Sequence, residues 1–161
     1  MNPADPIIVR VSHKFTAPAE RVFDAWLDPA VAKKFFFATP PNGEVVRCEL
    51  DVREGGRFTV TDRRPRDDGQ PGTHDVDHTG TWLLIDRPGR LSFNFAVPEY
   101  SKEVTTVTLD FANLPGGQCQ VTLLHDLGSS DTARQYRDKT ELGWRTVLGN
   151  LEKALTAPGS A

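Results

Sequence analysis

The sequence predicts an α+β fold in which a curved antiparallel sheet of about six to seven strands packs around a long C-terminal helix. Three observations support this. Residues 131–155 contain no proline, and their apolar residues fall at helical spacing. Most of residues 44–125 alternate between apolar and polar types, which is typical of half-buried strands. Short turn sequences separate these strands, so successive strands should run antiparallel.

The first strand and two short helices precede most of the sheet. Residues 7–15 alternate, with Val9, Val11 and His13 on the face that should point inward. Pro18 favours the start of a short helix over residues 18–27. The pair Asp28-Pro29 repeats that start signal and predicts a second short helix through residue 36. Residues 40–43 form a proline- and glycine-rich loop.

Six strands are then predicted in sequence. Residues 44–50 and 57–62 alternate around the Gly55-Gly56 turn. Residues 63–72 are rich in charge, proline and glycine, so we expect a long exposed hairpin loop. Residues 74–85 form a long strand. The remaining strands carry inward rows that include Leu91, Val107 and Val121.

The long C-terminal helix should bury one continuous stripe. The residues of this stripe are Tyr136, Thr140, Trp144, Leu148, Leu151 and Leu155, with Val147 and Ala154 beside them. Such a helix would be roughly 37 Å long at 1.5 Å per residue, and a stripe of that length needs a partner surface. A sheet curled around the helix provides one. A helix packed flat on the sheet, with no cavity between them, is also compatible with the pattern.

The ends of this helix and one glycine carry further signals. Ser130, Asp131 or Thr132 can cap its start, and Thr132 has capping-box spacing to Gln135. Pro158 and Gly159 should end it. Gly143, beside Trp144, should either allow close approach of a strand or ligand or give a moving lid local freedom. A bland exposed glycine is the alternative.

Composition narrows the classes of protein and of partner. The 161 residues, 38% of them hydrophobic, are expected to form one domain over residues 1–161. A formal net charge of -3 argues against a nucleic-acid partner. No signal peptide and no apolar run near the ~18 residues of a membrane span is evident, so we expect a cytoplasmic protein. Cys48 and Cys119 read as reduced, inward-facing and inert, although one bridge between them stays open.

The sequence gives little support for a metal site or for a catalytic nucleophile. His74 and His78 lie four residues apart in a predicted strand, about 13 Å at ~3.3 Å per residue. One metal with bonds of about 2 Å cannot bind both, so we expect no metal site and no cofactor. Neither a Gly-x-Ser-x-Gly elbow nor a phosphate-binding glycine loop occurs.

Histidines and aromatic residues are the remaining candidates for a site. His13 and His125 occupy inward positions near strand ends, and either could act as a base near neutral pH. A structural histidine bonded to a backbone carbonyl is the alternative for each. Large rings are unusually numerous and could line a ligand pocket or simply fill the core. The predicted ligand-binding residues are Trp26, Phe36, Phe58, Trp82, Phe93, Phe95, Leu109, Phe111, Tyr136 and Trp144.

The element order and four stretches together carry a family resemblance that covers nearly the whole chain. The stretches are residues 17–26 with Asp28-Pro29, residues 55–58, residues 80–82 with 86–91, and the pair Gly143-Trp144. The chain resembles the START-like (SRPBCC) superfamily with its helix-grip fold. It is most similar to the family named after the activator of the 90-kDa heat-shock protein ATPase. Relatives often have tryptophans where this chain has Phe35, Phe36 and Phe37, which changes the shape of an apolar pocket wall.

The resemblance implies a fold and a cavity but no reaction, because the family has no shared catalytic motif. The leading hypothesis is a domain that binds a small apolar or amphipathic molecule between the sheet and the C-terminal helix, with no defined catalytic activity. One alternative is a cavity enzyme of cyclase, hydrolase or isomerase type that uses His13 or His125. The other is a chaperone-interacting domain. A homodimer is a further partnership that the sequence leaves open.

Overall fold

The computed structural model describes residues 5–37, 43–66 and 68–156. The elements in these ranges are, in chain order, β1 (Ile8–Phe15), α1 (Ala19–Ala25), α2 (Pro29–Ala32), β2 (Glu44–Leu50), β3 (Arg57–Pro65), β4 (Thr73–Asp86), β5 (Arg90–Phe95), β6 (Thr105–Leu114), β7 (Gln118–Asp126) and α3 (Asp131–Thr156). The predicted order of elements is therefore confirmed.

The strands form one antiparallel sheet in the order β1-β7-β6-β5-β4-β3-β2. The strands β2 to β7 follow one another as a meander, and β1 pairs with β7, so β1 and β2 form the two edges. The registers place Val107 opposite both Phe93 and His125, and His125 opposite Val9. Residues on one face of all the strands therefore share the interior with α3, as the predicted alternation requires.

The long helix α3 buries the predicted stripe through its C-terminal two thirds. Its buried residues are Ala133, Trp144, Val147, Leu148, Leu151, Ala154 and Leu155, whereas Tyr136 and Thr140 are half-buried. The Ser130 hydroxyl oxygen accepts a hydrogen bond from the backbone N–H of Ala133 at 3.1 Å, which identifies Ser130 among the three proposed caps. The predicted stop signals Pro158 and Gly159, like the Pro40–Asn42 part of the predicted loop, lie outside the described residues.

The structure corrects the interpretation of Gly143. This residue is exposed, and a Cβ atom placed there would meet no atom within 4 Å. No strand approaches it closely, so the alternative of an ordinary exposed helix glycine fits the observed geometry.

The two short helices are shorter than predicted. Helix α1 spans Ala19–Ala25 with Pro18 at its N-cap, and α2 ends at Ala32 rather than at Phe36. Asp28 caps α2 as expected, since its Oδ1 accepts a hydrogen bond from the Ala30 backbone N–H at 3.0 Å. The chain leaves the helix after Ala32 and turns three phenylalanine rings into the interior, at positions 35–37.

The predicted exposed loop over residues 63–72 is partly wrong. Strand β3 continues to Pro65, and β4 begins at Thr73. Arg63 and Asp75 pair across these strands with an Nε–Oδ1 distance of 2.8 Å, so charged residues occupy the strand ends where we expected a loop. This extension places Arg64 in a strand, where it lines the interior beside the buried Asp62.

Both cysteines are free thiols, and a bridge between them is excluded. Cys119 lies on β7 and Cys48 on the edge strand β2, with four strands between them, whereas a disulfide needs Cα atoms within about 7 Å. Burial raises the pKa of both thiols, that of Cys48 to about 11. Cys119 is buried as predicted, but Cys48 is only half-buried.

None of the helices in the described ranges is long and apolar enough to cross a membrane.

Candidate ligand-binding cavity

One half of the concave face is filled by aromatic rings, which we call the aromatic core. Trp26 from the end of α1 contacts Phe35 and Phe36 with ring centroids 5.0 and 5.3 Å apart. Phe58 contacts Trp82 at 4.9 Å in the same cluster. These rings are at most 2% exposed. The side chains of the short helices and of the segment after them therefore close this half of the grip.

A cavity of about 480 Å³ occupies the other half. It lies between the N-terminal half of α3, residues of strands β3 to β7 and the segment between β5 and β6. Its lining residues are Arg64, His78, Phe95, Ala96, Val97, Tyr100, Ser101, Glu103, Thr105, His125, Leu127, Thr132, Ala133, Tyr136, Lys139 and Thr140. The lining combines apolar walls with several polar and charged groups.

The predicted ligand-binding residues divide between these two regions. Phe95 and Tyr136 line the cavity. Trp144 packs directly behind the wall, with its ring centroid 6.2 Å from that of Phe95. The remaining predicted residues lie in the buried core and do not line the cavity: Trp26, Phe36, Phe58, Trp82, Phe93, Leu109 and Phe111.

His125, one of the two candidate bases, is held neutral within a chain of hydrogen bonds. The indole N–H of Trp144 donates to His125 Nδ1 at 2.9 Å, so the imidazole proton lies on Nε2. Nε2 then donates to the Thr105 hydroxyl at 2.6 Å, and that hydroxyl donates to the Phe95 carbonyl oxygen at 3.3 Å. Burial lowers the pKa of His125 from its ordinary value of 6.5 to about 4. Both ring nitrogens are thus engaged, and neither is available to accept a proton from a bound molecule.

His13, the other candidate base, lies away from the cavity. Its Nε2 pairs with Glu152, near the C-terminal end of α3, whereas the cavity lies at the N-terminal half of that helix. Its ring also packs on Phe15 with centroids 4.5 Å apart. The structure therefore gives His13 a partner that ties β1 to α3.

His78 is a cavity residue that the sequence reading considered only as a metal ligand. It is 8% exposed and lies in a stack with Phe37, whose ring is 4.4 Å away and nearly parallel, and Phe95. Its Nδ1 donates to the Val60 carbonyl oxygen at 3.3 Å. Burial lowers the pKa of His78 to about 4, so the ring is neutral near pH 7.

Phe37 separates the cavity from the aromatic core. Its ring stacks on Phe36 at 4.3 Å and on Phe95 at 4.9 Å, and it lies 5.5 Å from the Trp144 ring. Its φ of 57° is uncommon for a residue with a side chain, and such geometry persists only when the surrounding packing holds it. Phe37 thus forms the partition between filled and open space.

Arg64 in the cavity wall pairs with a buried carboxylate behind it, an ion pair that sequence analysis missed. Asp62 has a fully buried side chain, and Arg64 donates from Nε to its Oδ2 at 3.0 Å, with Nη2 2.9 Å from the same oxygen. The signal was present in the sequence, because Phe58, Val60, Asp62 and Arg64 continue one alternation. The exposed-loop interpretation of residues 63–72 ended that alternation too early.

No group of three or more metal-ligating side chains occurs among the residues that the structure describes. His74 and His78 are both in strand β4, and His74 Nε2 lies 2.5 Å from a carboxylate oxygen of Glu99. The strand conformation that argued against a shared metal is confirmed.

Comparison with known proteins bears on the fold and the family. Protein Ms6760 from Mycobacterium smegmatis has a TM-score of 0.72 at 26% identity, covering 96% of this chain and 94% of that chain. Protein CV1439 from Chromobacterium violaceum has a TM-score of 0.70 at 23% identity, covering 91% and 96%. PFC0360w, an HSP90 activator from Plasmodium falciparum, has a TM-score of 0.66 at 17% identity, covering 92% and 96%.

The structural likenesses agree with the helix-grip fold, in which a curved antiparallel sheet holds a long C-terminal helix. No curated protein matches the sequence. A family model does match, over residues 16–156, from the end of β1 to the end of α3. Because that match covers most of its length, the chain belongs to the family described as Activator of Hsp90 ATPase homolog 1-like protein.

Proposed function

We propose that this protein binds a small amphipathic molecule in the cavity between its curved sheet and the N-terminal half of α3. The observation that carries the proposal is the cavity itself. Its volume of about 480 Å³ falls within the roughly 300–1,000 Å³ typical of small-molecule sites. Aromatic and aliphatic walls with a few placed polar groups are also typical of such sites.

The cavity is lined by both apolar and charged residues, which supports an amphipathic ligand. Phe95, Leu127 and Tyr136 offer apolar contact area. Arg64, Glu103 and Lys139 bring charge to the same cavity from a strand, a connecting segment and the helix. A purely apolar molecule would make no contact of matching charge with these groups, whereas a purely polar one would gain little from the aromatic wall.

The same geometry favours binding over acid–base catalysis. A general base must have a nitrogen or oxygen within hydrogen-bond reach of the proton that it abstracts. His125 has both nitrogens engaged by Trp144 and Thr105, and His13 lies outside the cavity. An enzyme that uses His13 or His125 as its base is therefore the weaker hypothesis for this chain.

The proposal is tested with a neutral environment-sensitive dye, N-phenyl-1-naphthylamine, and with native mass spectrometry of freshly purified protein. Thr140→Trp adds an indole to a lining residue that is half-buried, so we expect it to lower dye affinity at least tenfold. Thr146→Trp, on an exposed position of the same helix, is the matched control and should leave dye affinity unchanged.

The fold of both variants is checked by circular dichroism. Equal dye affinity in the folded Thr140→Trp variant and the wild type would contradict binding at this cavity. Leu109→Trp is unsuitable as a blocking variant because Leu109 is fully buried in the core, where a larger ring would disturb packing.

A second candidate function is interaction with a chaperone. The observations that favour it are the family itself and the HSP90 activator from Plasmodium falciparum that shares the fold. The measurement that tests it is the ATPase rate of purified 90-kDa heat-shock protein with and without this chain. A rate that stays unchanged at saturating protein would exclude an activator role.

A further inference from the structure

The cavity lining is richer in cationic than in anionic groups, although the whole chain carries a formal net charge of -3. Arg64 lines it from strand β3, and Lys139 lines it from helix α3. Glu103 is the acidic residue among the described lining residues. Arg64 and Lys139 thus bring two cations to one cavity from two different elements, which apolar packing does not require.

Arg64 is held in place by a carboxylate behind the wall. The Asp62 side chain is fully buried, and both Nε and Nη2 of Arg64 lie within 3.0 Å of its Oδ2 oxygen, whereas 31% of the Arg64 side chain is accessible. Burying an ion pair of this kind costs desolvation energy, and it is weak evidence for a role in stability. Its geometric effect is clearer, since the pairing fixes the orientation of the guanidinium.

The guanidinium keeps binding capacity after this pairing. Arginine carries five N–H donors, and the contacts to Asp62 use Nε and one edge of Nη2. The Nη1 group is not part of these contacts. An arginine held in this way can still donate two parallel hydrogen bonds to a carboxylate, which is the geometry that its planar fork favours.

Lys139 supplies a second cation. It is exposed on α3, one turn beyond Tyr136 in the cavity lining. None of the ion pairs found among the described residues involves it, whereas Arg137 and Arg145 on the same helix both lie within 4 Å of Glu141. Its ammonium group can therefore reach a bound anion without breaking a pair within the described part of the chain.

We propose that the molecule bound in the cavity is an anionic amphiphile whose carboxylate is received by Arg64 and Lys139. Its apolar body lies against Phe95, Leu127 and Tyr136. This inference rests on the proposed function, since it specifies the chemistry of the ligand at the same cavity. Glu103 faces the same space and opposes the anion, so its charge should weaken binding.

The test compares three probes of the same chain length in displacement of the neutral dye at low salt: octanoate, octan-1-ol and octyltrimethylammonium. We expect octanoate to bind at least about tenfold more tightly than octan-1-ol, as charge-assisted hydrogen bonds typically allow. The cation should bind most weakly. Equal affinities, or a preference for the cation, would overturn the anion proposal and leave the binding function intact. Failure of every probe to displace the dye would instead count against both proposals.

Substitutions test which residues cause the preference for octanoate. Lys139→Gln should lower octanoate affinity several-fold and leave octan-1-ol affinity unchanged, whereas Glu103→Gln should raise octanoate affinity. Lys153→Gln, an exposed position on the same helix outside the cavity, is the matched control. Arg64→Gln alone would leave the buried Asp62 carboxylate without its guanidinium, so Arg64 is tested in the D62N/R64Q double variant. Octanoate affinity that is unchanged in both Lys139→Gln and the folded double variant would refute the assignment.

Discussion

Trp144 contributes both to the packing of α3 and to the hydrogen bonds of the cavity wall. The residue is 3% exposed, its indole N–H donates to His125, and its ring approaches those of Phe37, Phe93 and Phe95. Its helical neighbour Arg145 keeps 55% of its side chain exposed and lies 3.8 Å from Glu141. Adjacent positions thus differ sharply in what they contribute to stability.

We expect Trp144→Ala to lower the free energy of unfolding by roughly 3–5 kcal/mol, because it removes a buried ring. It also leaves His125 Nδ1 without its donor. Arg145→Ala should change the free energy by no more than about 0.5 kcal/mol, since exposed pairs contribute little. Urea denaturation of both variants measures the contrast. Equal losses would contradict the assignment of faces on α3.

Residue by residue, alternation identified which side chains point inward but not what they do there. Trp26, Phe58 and Phe93 are buried as predicted, yet they pack on one another and fill the space that we assigned to a ligand. The number of rings in a sequence does not determine whether the short helices close over them. Arg64 was missed because it lies within the predicted exposed loop, and Asp62, at the end of the predicted strand, was not recognised as an inward-facing charge.

At the scale of elements, Gly143 in α3 and Gly80 in β4 have opposite environments. A Cβ at Gly143 in α3 would meet no atom within 4 Å. A Cβ at Gly80 in β4 would lie 2.0 Å from the Asn94 carbonyl oxygen and 2.4 Å from Phe58 Cζ. Gly80 therefore allows strand β5 and an aromatic core ring to approach the backbone, and Gly143 serves no such purpose.

Gly143→Ala should raise the free energy of unfolding by up to about 1 kcal/mol, because alanine favours the helix over glycine. Gly80→Ala should lower it by about 1–3 kcal/mol or more, as expected for overpacking next to backbone and a buried ring. Thermal and urea melts of the two variants test this pair of opposite signs. A loss of stability in Gly143→Ala would show that α3 has a close neighbour at this position.

Elements differed in how far the sequence could specify them. Helix α3 was predictable from end to end because a long stripe repeats its signal many times. Helix α2 was not, since one capping aspartate and one proline define its start but nothing local marks its end at Ala32. The turn after it depends on the burial of Phe36 against Phe58 and Phe93, on strands far along the chain, which is a tertiary effect.

For the whole molecule, the two buried histidines predict a loss of stability in mild acid. Burial lowers the pKa of both His78 and His125 from 6.5 to about 4. Between these values the unfolded chain binds a proton at each histidine and the folded chain does not. The free energy of unfolding should therefore fall as pH decreases below about 6.5, by up to ~1.4 kcal/mol per pH unit for each histidine.

Urea denaturation at pH 7 and pH 5 measures this effect, and we expect a difference of roughly 2 kcal/mol for each histidine. His78→Gln should remove about half of it. Carboxylates such as Asp75, whose pKa is lowered by an arginine partner, act mainly below this window because their ordinary pKa is 3.8. Equal stability at pH 7 and pH 5 would show that the folded protein can accommodate both charged imidazoles.

The partition at Phe37 has an evolutionary consequence. The aromatic core lies on one side of Phe37 and the cavity on the other. Substitutions at cavity-lining residues such as Tyr100, Glu103 and Lys139 therefore leave the aromatic core unchanged. Under the proposed function, the ligand preference of a lineage can then change without a matching loss of stability. Relatives with this division are expected to differ more in the ligand proposed for the cavity than in their fold.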